Sequence, residues 1–229
     1  MTLPKDVDHV HRLIGNMAEV SNLLDIHAYL SGTGPGRKHH VEILNKSAVV
    51  LIVACWEAFV EDTVQAALQF MVENCKDHAT FPALILKRIA SKHAGLKAWD
   101  LAGDGWKQAL HDNLSEVLAR TIGALNTPKT KQVNELFEKT IGLKNLSSSW
   151  KWKGRTVSQA SKAIDDLITL RGSIAHQVKT SSAVHKKHAD DAMELISRIA
   201  AKTSNVVRVH VHKQIGKYPW SSVKYKGTQ

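Results

Sequence analysis

The sequence predicts an all-α protein, an up-and-down bundle of about four long helices with an inserted set of shorter helices. Apolar residues recur at intervals of three and four over most of the 229 residues, the spacing of one face of an α-helix. Clusters of Gly, Pro, Ser and Asn separate these stretches, and long helices joined by short connections are typical of bundles. A chain of this length can bury a substantial core.

The first half of the chain contains the longest helical patterns. Residues 7–30 form an amphipathic stretch that ends at the breaker cluster SGTGPG of 31–36. The next pattern, 40–74, is apolar nearly all round at its centre, which predicts a helix buried between neighbours. Shorter helices are predicted at 82–93, 105–125 and 130–141, inside an insertion of about 80–155 that ends in a basic, Trp-bearing loop at 142–155.

Two further long helices are predicted at about 158–178 and 183–215. The segment NVVRVHVHK, 205–213, alternates like a strand. However, apolar residues within it continue a helical stripe from upstream, so the pattern favours a helix. One domain over residues 1–229 is the economical interpretation.

The charge of the chain is high and unevenly distributed. The net charge is +10, and residues 179–229 hold 10 Lys and Arg against 3 Asp and Glu, which leaves 21 against 18 upstream. A basic C-terminal part indicates a polyanion, nucleic acid before an anionic membrane, with a solvated surface as the alternative.

The compartment is predicted from the start of the chain, its apolar runs and its cysteines. The polar start MTLPKDVDHVHR predicts no signal peptide, and the apolar run 47–56 is shorter than the roughly 20 residues of a membrane span. Cys55 and Cys75 form no CxxC pair, so core thiols and a reducing cytoplasm are expected, with no membrane partner.

The stretch LITLRGSIAHQV, 167–178, places an arginine on an apolar stripe. Arg171 falls on the line of Ile164, Leu167, Ile174 and Val178, where Leu or Ile is expected. Because a stranded guanidinium costs several kcal/mol by order of magnitude, an anion must meet it. The two candidates are a carboxylate of the long helix, where Glu57 and Glu61 share a face, and a bound phosphate.

A histidine follows this arginine on a different face. His176 lies five residues on, about 140° around an ideal helix, so a shared target requires a distorted helix or a second chain. Gly172 costs about 1 kcal/mol relative to Ala inside a helix, which suggests close backbone approach or a kink. A structural Arg–Glu pair with a hydrogen-bonded His is the commoner alternative.

Other polar clusters suggest ligands of other kinds. The histidine pairs 39/40, 185/188 and 210/212 lack a matching Cys or carboxylate set, so no metal site is predicted. The interleaved basic and aromatic residues around 150–155 suit phosphate binding and base stacking, although the aromatics could equally pack on the bundle. The predicted nucleic-acid-binding residues are Lys151, Trp152, Lys153, Arg155 and Lys179.

Three segments carry a resemblance to a known family. LRGSIAHQ resembles the Arg-x4-His signature of the HEPN superfamily, and VVLIVACWEAFVEDTV, 49–64, resembles the second helix of its RiboL-PSP type. IGKYPW, 215–220, is similar to the end of such proteins. The resemblance covers about 1–75 and 156–220, and it does not place the insertion.

The resemblance implies a helical domain that dimerises and sets two Arg-x4-His motifs in a basic cleft. Active members are metal-independent endoribonucleases, common in toxin–antitoxin and antiviral defence systems. Carried over by residue, Arg171 and His176 are the catalytic pair. Ser173, as a neighbouring hydroxyl, and Glu57 and Glu61, as candidate partners of Arg171, are the predicted supporting residues. The implied partners are RNA, a second copy of the chain, and a neutralising antitoxin or other regulatory protein, with no cofactor.

The sequence also departs from this pattern at one position. The residue after the arginine is often Asn, Asp or His in active members, whereas here it is Gly172. An inactive HEPN-like module that dimerises or binds RNA therefore remains an alternative, and a helical regulator that binds a nucleotide is a third.

Overall fold

The computed structural model describes residues 7–31, 41–122, 128–177 and 183–225, and these ranges are helical with no named strand. The prediction of an all-α fold is confirmed. Short 3-10 helices cover His78–Thr80, Gly95–Leu101 and Leu146–Ser149. The α-helices are α1 (Asp8–Ser31), α2 (Glu42–Asn74), α3 (Ala83–Ala90), α4 (Gly105–Ile122), α5 (Thr130–Ile141), α6 (Val157–Gln177) and α7 (Lys186–Ile215).

Helix α2 is the centre of the bundle. It packs against α1, α6 and α7, and also against α4 and α5 of the insertion. Side chains from Asn45 to Val72 are buried on most of its circumference, which agrees with its apolar centre. By length and composition alone α2 would also pass for a membrane span, but half of its most apolar window is buried inside the protein, as in the core helix of a globular fold.

The long helices agree with the predicted elements to within a few residues. Helix α7 continues through 205–213, so the prediction of a helix there, rather than a strand, is confirmed. The breaker cluster lies outside the described residues beyond Ser31. The 3-10 helix Gly95–Leu101 was not predicted, because a short segment has too few turns to show a period.

The tryptophan-bearing segment after α5 returns to the core. Trp150 is fully buried, its Nε1 donates a 3.0 Å hydrogen bond to Thr203 Oγ1, and its ring meets Trp56 edge-on. Trp56 in turn donates to the Pro128 carbonyl at 3.0 Å. Of the two uses left open for these aromatics, Trp150 therefore has the structural one, since each indole N–H is satisfied inside the bundle.

A buried histidine joins α1 to α7 and to the C-terminal segment. His9 is 3% exposed, its Nε2 lies 2.9 Å from Ser204 Oγ, and Trp220 packs edge-on at 4.5 Å between ring centroids. Burial lowers the pKa of His9 to about 4, against the opposing effect of the Asp8 charge. The imidazole is therefore neutral at physiological pH.

We expect His9 to make the protein less stable in mild acid. Below pH 6.5 His9 is mostly protonated in the unfolded chain, whereas in the folded chain it stays neutral down to about pH 4. The free energy of unfolding therefore falls as the pH decreases, by about 2 kcal/mol from pH 7 to pH 5. In His9→Gln the contribution of His9 to this decrease is absent, so the free energy of unfolding falls less between pH 7 and pH 5 than in wild type. Urea unfolding at several pH values measures the difference. His111→Gln, at an exposed histidine, is the control and retains the wild-type pH dependence. Equal slopes for His9→Gln and wild type would contradict the assignment.

Candidate active site

Arg171 lies where α6 meets α2, at the edge of the core. The residues on the same line of α6 are buried, namely Ile164, Leu167 and Ile174. The Arg171 side chain, in contrast, is 32% exposed to solvent. The guanidinium Nη2 lies 3.9 Å from Glu57 Oε2. The predicted carboxylate partner is therefore present, and it is Glu57 of α2.

This ion pair is loose. A separation of 3.9 Å exceeds hydrogen-bond length, and among the described residues Arg171 makes no hydrogen bond. Its Nε is buried and has no hydrogen-bond partner in the part of the chain that the structure describes. A guanidinium has five N–H donors in a planar fork, so Arg171 keeps the capacity to bind a further anion by hydrogen bonds.

The pKa values of Glu57 and of its neighbour Glu61 on α2 are both raised. Burial raises the pKa of Glu57, and the Arg171 charge only partly opposes it. One turn further along α2, burial and the negative charges of Glu57 and Asp62 raise the pKa of Glu61. Arg12 of α1 pairs with Asp62 at 2.8 Å. The structure thus places Glu57 against Arg171, but it shows no contact of Glu61 with Arg171.

Helix α6 passes through Gly172 without a break, and it is continuous from Val157 to Gln177. A Cβ placed on Gly172 would meet nothing within 4 Å among the described residues. The expectation of a close backbone approach at this glycine is therefore wrong among the described residues of one chain, whereas the expectation of a kink stays a prediction. Open space next to Arg171 instead leaves the backbone accessible to a second molecule.

His176 and Ser173 lie on another face of α6 from Arg171. His176 is exposed, about one and a half turns and roughly 7.5 Å along the axis from Arg171. Ser173 is exposed too, and its hydroxyl donates to the Thr169 carbonyl at 3.2 Å, a bond inside the helix. One chain therefore does not bring His176 and Arg171 together, in agreement with the helical geometry.

Next to the ion pair, α2 leaves one stripe of its surface uncovered. Ile43 is 51% exposed, Leu51 is 44% exposed and Ala54 is exposed, while Ala58 is half-buried. On a helical wheel these residues cover about 80° of the circumference, with Glu61 on the same side and Glu57 at the margin. The uncovered stripe of α2 is therefore apolar or small at most positions and adjoins Arg171.

The predicted nucleic-acid-binding residues form a separate group. Trp152 and Arg155 exchange backbone hydrogen bonds of 3.1 and 3.0 Å around a turn whose Gly154 has φ +83°, a conformation that favours glycine. Lys151 and Lys153 are exposed beside this turn. We call residues 151–155 the basic turn.

The tryptophan of the basic turn already has cationic neighbours. Trp152 packs partly against the core, and the guanidinium carbons of Arg155 and Arg198 lie 5.8 and 5.7 Å from its ring centroid. Arg198 also lies 4.5 Å from the ring centroid of Tyr225. A base that stacks on Trp152 must exchange with one of these arginines.

The basic turn does not share a pocket with Arg171. Fourteen residue steps along α6 separate Val157, near the end of the turn, from Arg171, and this is about 21 Å along the axis. Lys179 lies outside the described residues. The structure therefore groups Arg171 with Glu57 and, at a distance, Trp152 with Arg155, so a polyanion would have to run along α6 to reach both.

Some neighbours of these groups escaped the sequence analysis. Arg198 lies over the rings of both Trp152 and Tyr225, and Arg12 and Asp62 join α1 to α2 near Glu57. Long-range contacts of this kind leave no period in the sequence; only the i,i+4 pair of Glu194 with Arg198 was readable from spacing. In the part of the chain that the structure describes, no three His, Cys, Asp or Glu side chains are grouped as metal ligands.

A helical bundle with an Arg-x4-His sequence on its penultimate long helix is the arrangement that the resemblance to the HEPN superfamily implies. The family described as RiboL-PSP-HEPN matches residues 12–207, which is 196 of the 229 residues (207 − 12 + 1) and includes the insertion. The chain therefore belongs to the RiboL-PSP-HEPN family. No curated protein and no solved structure gives a significant match to the chain.

The raised pKa of Glu61 predicts a pH dependence opposite to that of His9. In the window above the ordinary pKa of a glutamate the folded chain holds the Glu61 proton more tightly than the unfolded chain, so this residue contributes less stability as the pH rises. We expect Glu61→Gln to become more stable relative to wild type as the pH increases from 4 to 7, in thermal or urea unfolding.

Glu135→Gln is the matched control of opposite sign. The hydrogen bond and charge of Lys139 lower the pKa of Glu135, so its carboxylate contributes stability above the ordinary glutamate pKa and loses it in acid. The Gln variant should therefore become less stable relative to wild type as the pH rises. The assignment for Glu61 is contradicted when Glu61→Gln, like Glu135→Gln, becomes less stable relative to wild type as the pH rises.

Proposed function

We propose that this protein is a metal-independent endoribonuclease of HEPN type whose active site forms between two copies of the chain. The observation that carries the proposal is Arg171, a half-buried guanidinium that makes no hydrogen bond among the described residues and lies 3.9 Å from its carboxylate neighbour. An RNA phosphate supplies acceptors in the geometry that this planar donor fits. Arg171 and His176 are the catalytic residues of the proposal.

RNA carries its own nucleophile, so the protein needs to move protons and to stabilise charge. One imidazole takes the proton of the 2′-OH as its oxygen attacks phosphorus, and an imidazolium donates a proton to the leaving 5′-oxygen as the P–O5′ bond breaks. The products are a 2′,3′-cyclic phosphate and a 5′-OH. Histidine suits both roles because its unperturbed pKa is about 6.5, and Arg171 stabilises the developing charge on the phosphoryl oxygens.

Two copies are needed because one chain cannot place these groups around a single phosphate. His176 points about 140° away from Arg171, and one imidazole cannot easily occupy both sides of the scissile bond. The open space at Gly172 and the uncovered stripe of α2 support a partner chain at this face. Small residues such as Ala54 and Ala58 permit close approach of a second helix.

The basic turn and the net charge of +10 support RNA as the polyanion. In the proposal Lys151, Lys153, Arg155 and Trp152 hold the strand away from the scissile phosphate, with Lys179 as a further contact. In the proposal Glu57 orients Arg171, whereas Glu61, one turn along α2 from Glu57, and Ser173, on another face of α6, would support the site only from a second copy or through Glu57. The proposal includes a cytoplasmic toxin or antiviral effector that a neutralising protein controls, as the resemblance to active HEPN proteins implies.

A second candidate is a HEPN module that dimerises or binds RNA without cleaving it. The Glu57–Arg171 pair favours this alternative, since a carboxylate that neutralises the arginine is also what a structural role requires. Gly172, in place of the polar residue of many active members, favours it too.

Cleavage in the presence of EDTA distinguishes the two candidates. We expect the wild type to cut single-stranded RNA in EDTA, and His176→Ala to lose at least about 100-fold, the contribution typical of a general acid or base. Arg171→Ala should lose as much, whereas Arg171→Lys, which retains the charge but not the fork, should retain part of the activity. The rate of product formation and a terminal-phosphate assay measure these effects.

The controls for this assay are structural and chemical. His188→Ala removes an exposed histidine of α7 and should cleave like wild type. RNA binding without cleavage would select the inactive module, and cleavage that requires a metal ion would refute the mechanism.

Mixed dimers test whether the site is composite. We expect dimers of one Arg171→Ala and one His176→Ala subunit, isolated through two different affinity tags, to recover part of the wild-type rate, because one intact Arg171 and one intact His176 then face each other. Each homodimeric variant, treated in the same way, is the control. Mixed dimers that never exceed either control would remove the support for a site shared between chains.

A further inference from the structure

Arg171 has a weaker partner than the other arginines whose side chains the structure describes. Each of the others has a hydrogen bond, a close carboxylate or an aromatic ring beside its guanidinium, namely Arg12, Arg88, Arg155, Arg198 and Arg208. The described neighbour of Arg171 is Glu57, at 3.9 Å, which exceeds hydrogen-bond length. The positive charge of Arg171 is therefore the least well satisfied in this set.

Glu57 is also incompletely satisfied. Its side chain is 22% exposed, and among the described residues its carboxylate accepts no hydrogen bond. Burial raises the pKa of Glu57, although the charge of Arg171 acts in the opposite direction. Both members of the ion pair have therefore lost part of their hydration without a hydrogen bond between them.

An anion that approaches Arg171 from the solvent meets Glu57 beside it. The Arg171 side chain is 32% exposed, so its guanidinium can be reached at the junction of α2 and α6. A phosphate accepts two parallel hydrogen bonds from a guanidinium, which Glu57 at its present distance does not. However, Glu57 repels the phosphate and offsets part of the attraction of Arg171. The carboxylate and the phosphate are therefore competitors for one cation.

We propose that Glu57 is a built-in competitor of the substrate phosphate and lowers the affinity of Arg171 for anions. In the free chain Glu57 keeps the guanidinium near α2, and a phosphate displaces it by accepting hydrogen bonds that the carboxylate does not accept. The site is therefore selective for an anion with several acceptor oxygens. The identity of that anion, an RNA phosphodiester, rests on the proposed function, whereas the competition itself is tested by binding without cleavage.

Binding of a strand that cannot be cleaved tests the competition. The probe is a labelled single-stranded oligonucleotide of 2′-deoxyribose, which has the phosphodiesters but no 2′-OH, and fluorescence anisotropy measures its Kd. We expect Glu57→Gln to bind it about twofold to fivefold more tightly than wild type, the range of a partly exposed ion pair. Glu57→Asp, whose side chain is one methylene shorter, should bind with intermediate affinity. Unchanged or weaker binding by Glu57→Gln would leave Glu57 as an orienting residue only and overturn the proposal.

The controls distinguish competition for Arg171 from a general effect of charge. Glu61→Gln removes an equal charge one turn away on α2, without a described contact to Arg171, and should tighten binding less than Glu57→Gln. Glu138→Gln, at an exposed residue of α5, should bind like wild type. In an Arg171→Gln background, Glu57→Gln should no longer tighten binding. An equal gain in Glu61→Gln, or a gain that persists without Arg171, would contradict the proposal.

Two further measurements separate this competition from the nuclease activity. Titration with inorganic phosphate, followed through the Nε–H signal of Arg171 in NMR, should saturate at a lower concentration in Glu57→Gln than in wild type. With RNA as substrate, Glu57→Gln should lower KM, whereas a loss of orientation alone lowers kcat. Tighter binding without any cleavage would refute the nuclease and support the competitor. Cleavage with an unchanged or raised KM in Glu57→Gln would do the reverse.

Discussion

The burial of α2 is the constraint on which the rest of the structure depends. This helix is apolar on most of its circumference, so it must be covered on several sides, and α1, α6, α7 and the inserted helices cover it. Among the described residues, a stripe with Ile43, Leu51 and Ala54 stays open along the first half of the helix. Glu57 lies at the margin of that stripe, and its carboxylate lies 3.9 Å from Arg171 of α6.

The ion pair at this margin reflects a balance between burial and charge. Desolvation raises the pKa of Glu57, while the positive charge of Arg171 lowers it, and burial has the larger effect. A distance of 3.9 Å and a buried Nε without a partner show that the pair is incompletely satisfied. Replacing such a pair with apolar residues is often neutral or stabilising, so stability alone gives little reason for an arginine at this position of α6.

Sequence patterns predicted the helices well because each long helix buries a stripe that repeats every 3.6 residues. The same argument placed Arg171 on the packing line and named Glu57 or Glu61 as its partner, and Glu57 is the one in contact. What periodicity could not show was contact between distant segments. Trp150 against Thr203, His9 against Ser204 and Arg198 at Trp152 depend on tertiary packing. Gly172 was misjudged for the same reason, since the helical pattern does not reveal what faces a residue.

Arg171 and His176 lie on two different faces of α6. Arg171 points towards α2, and His176 points into solvent about 140° away. In a dimer with twofold symmetry each residue of one chain meets the same surface of the other, so an exposed group on one chain can complete a half-buried group on its partner. An Arg-x4-His spacing is unsuited to a site within one straight helix, but a symmetric pair of helices could turn the same spacing into a site. Since α6 is continuous through Gly172, the proposed site draws its two kinds of catalytic residue from two chains and not from an interruption of one helix.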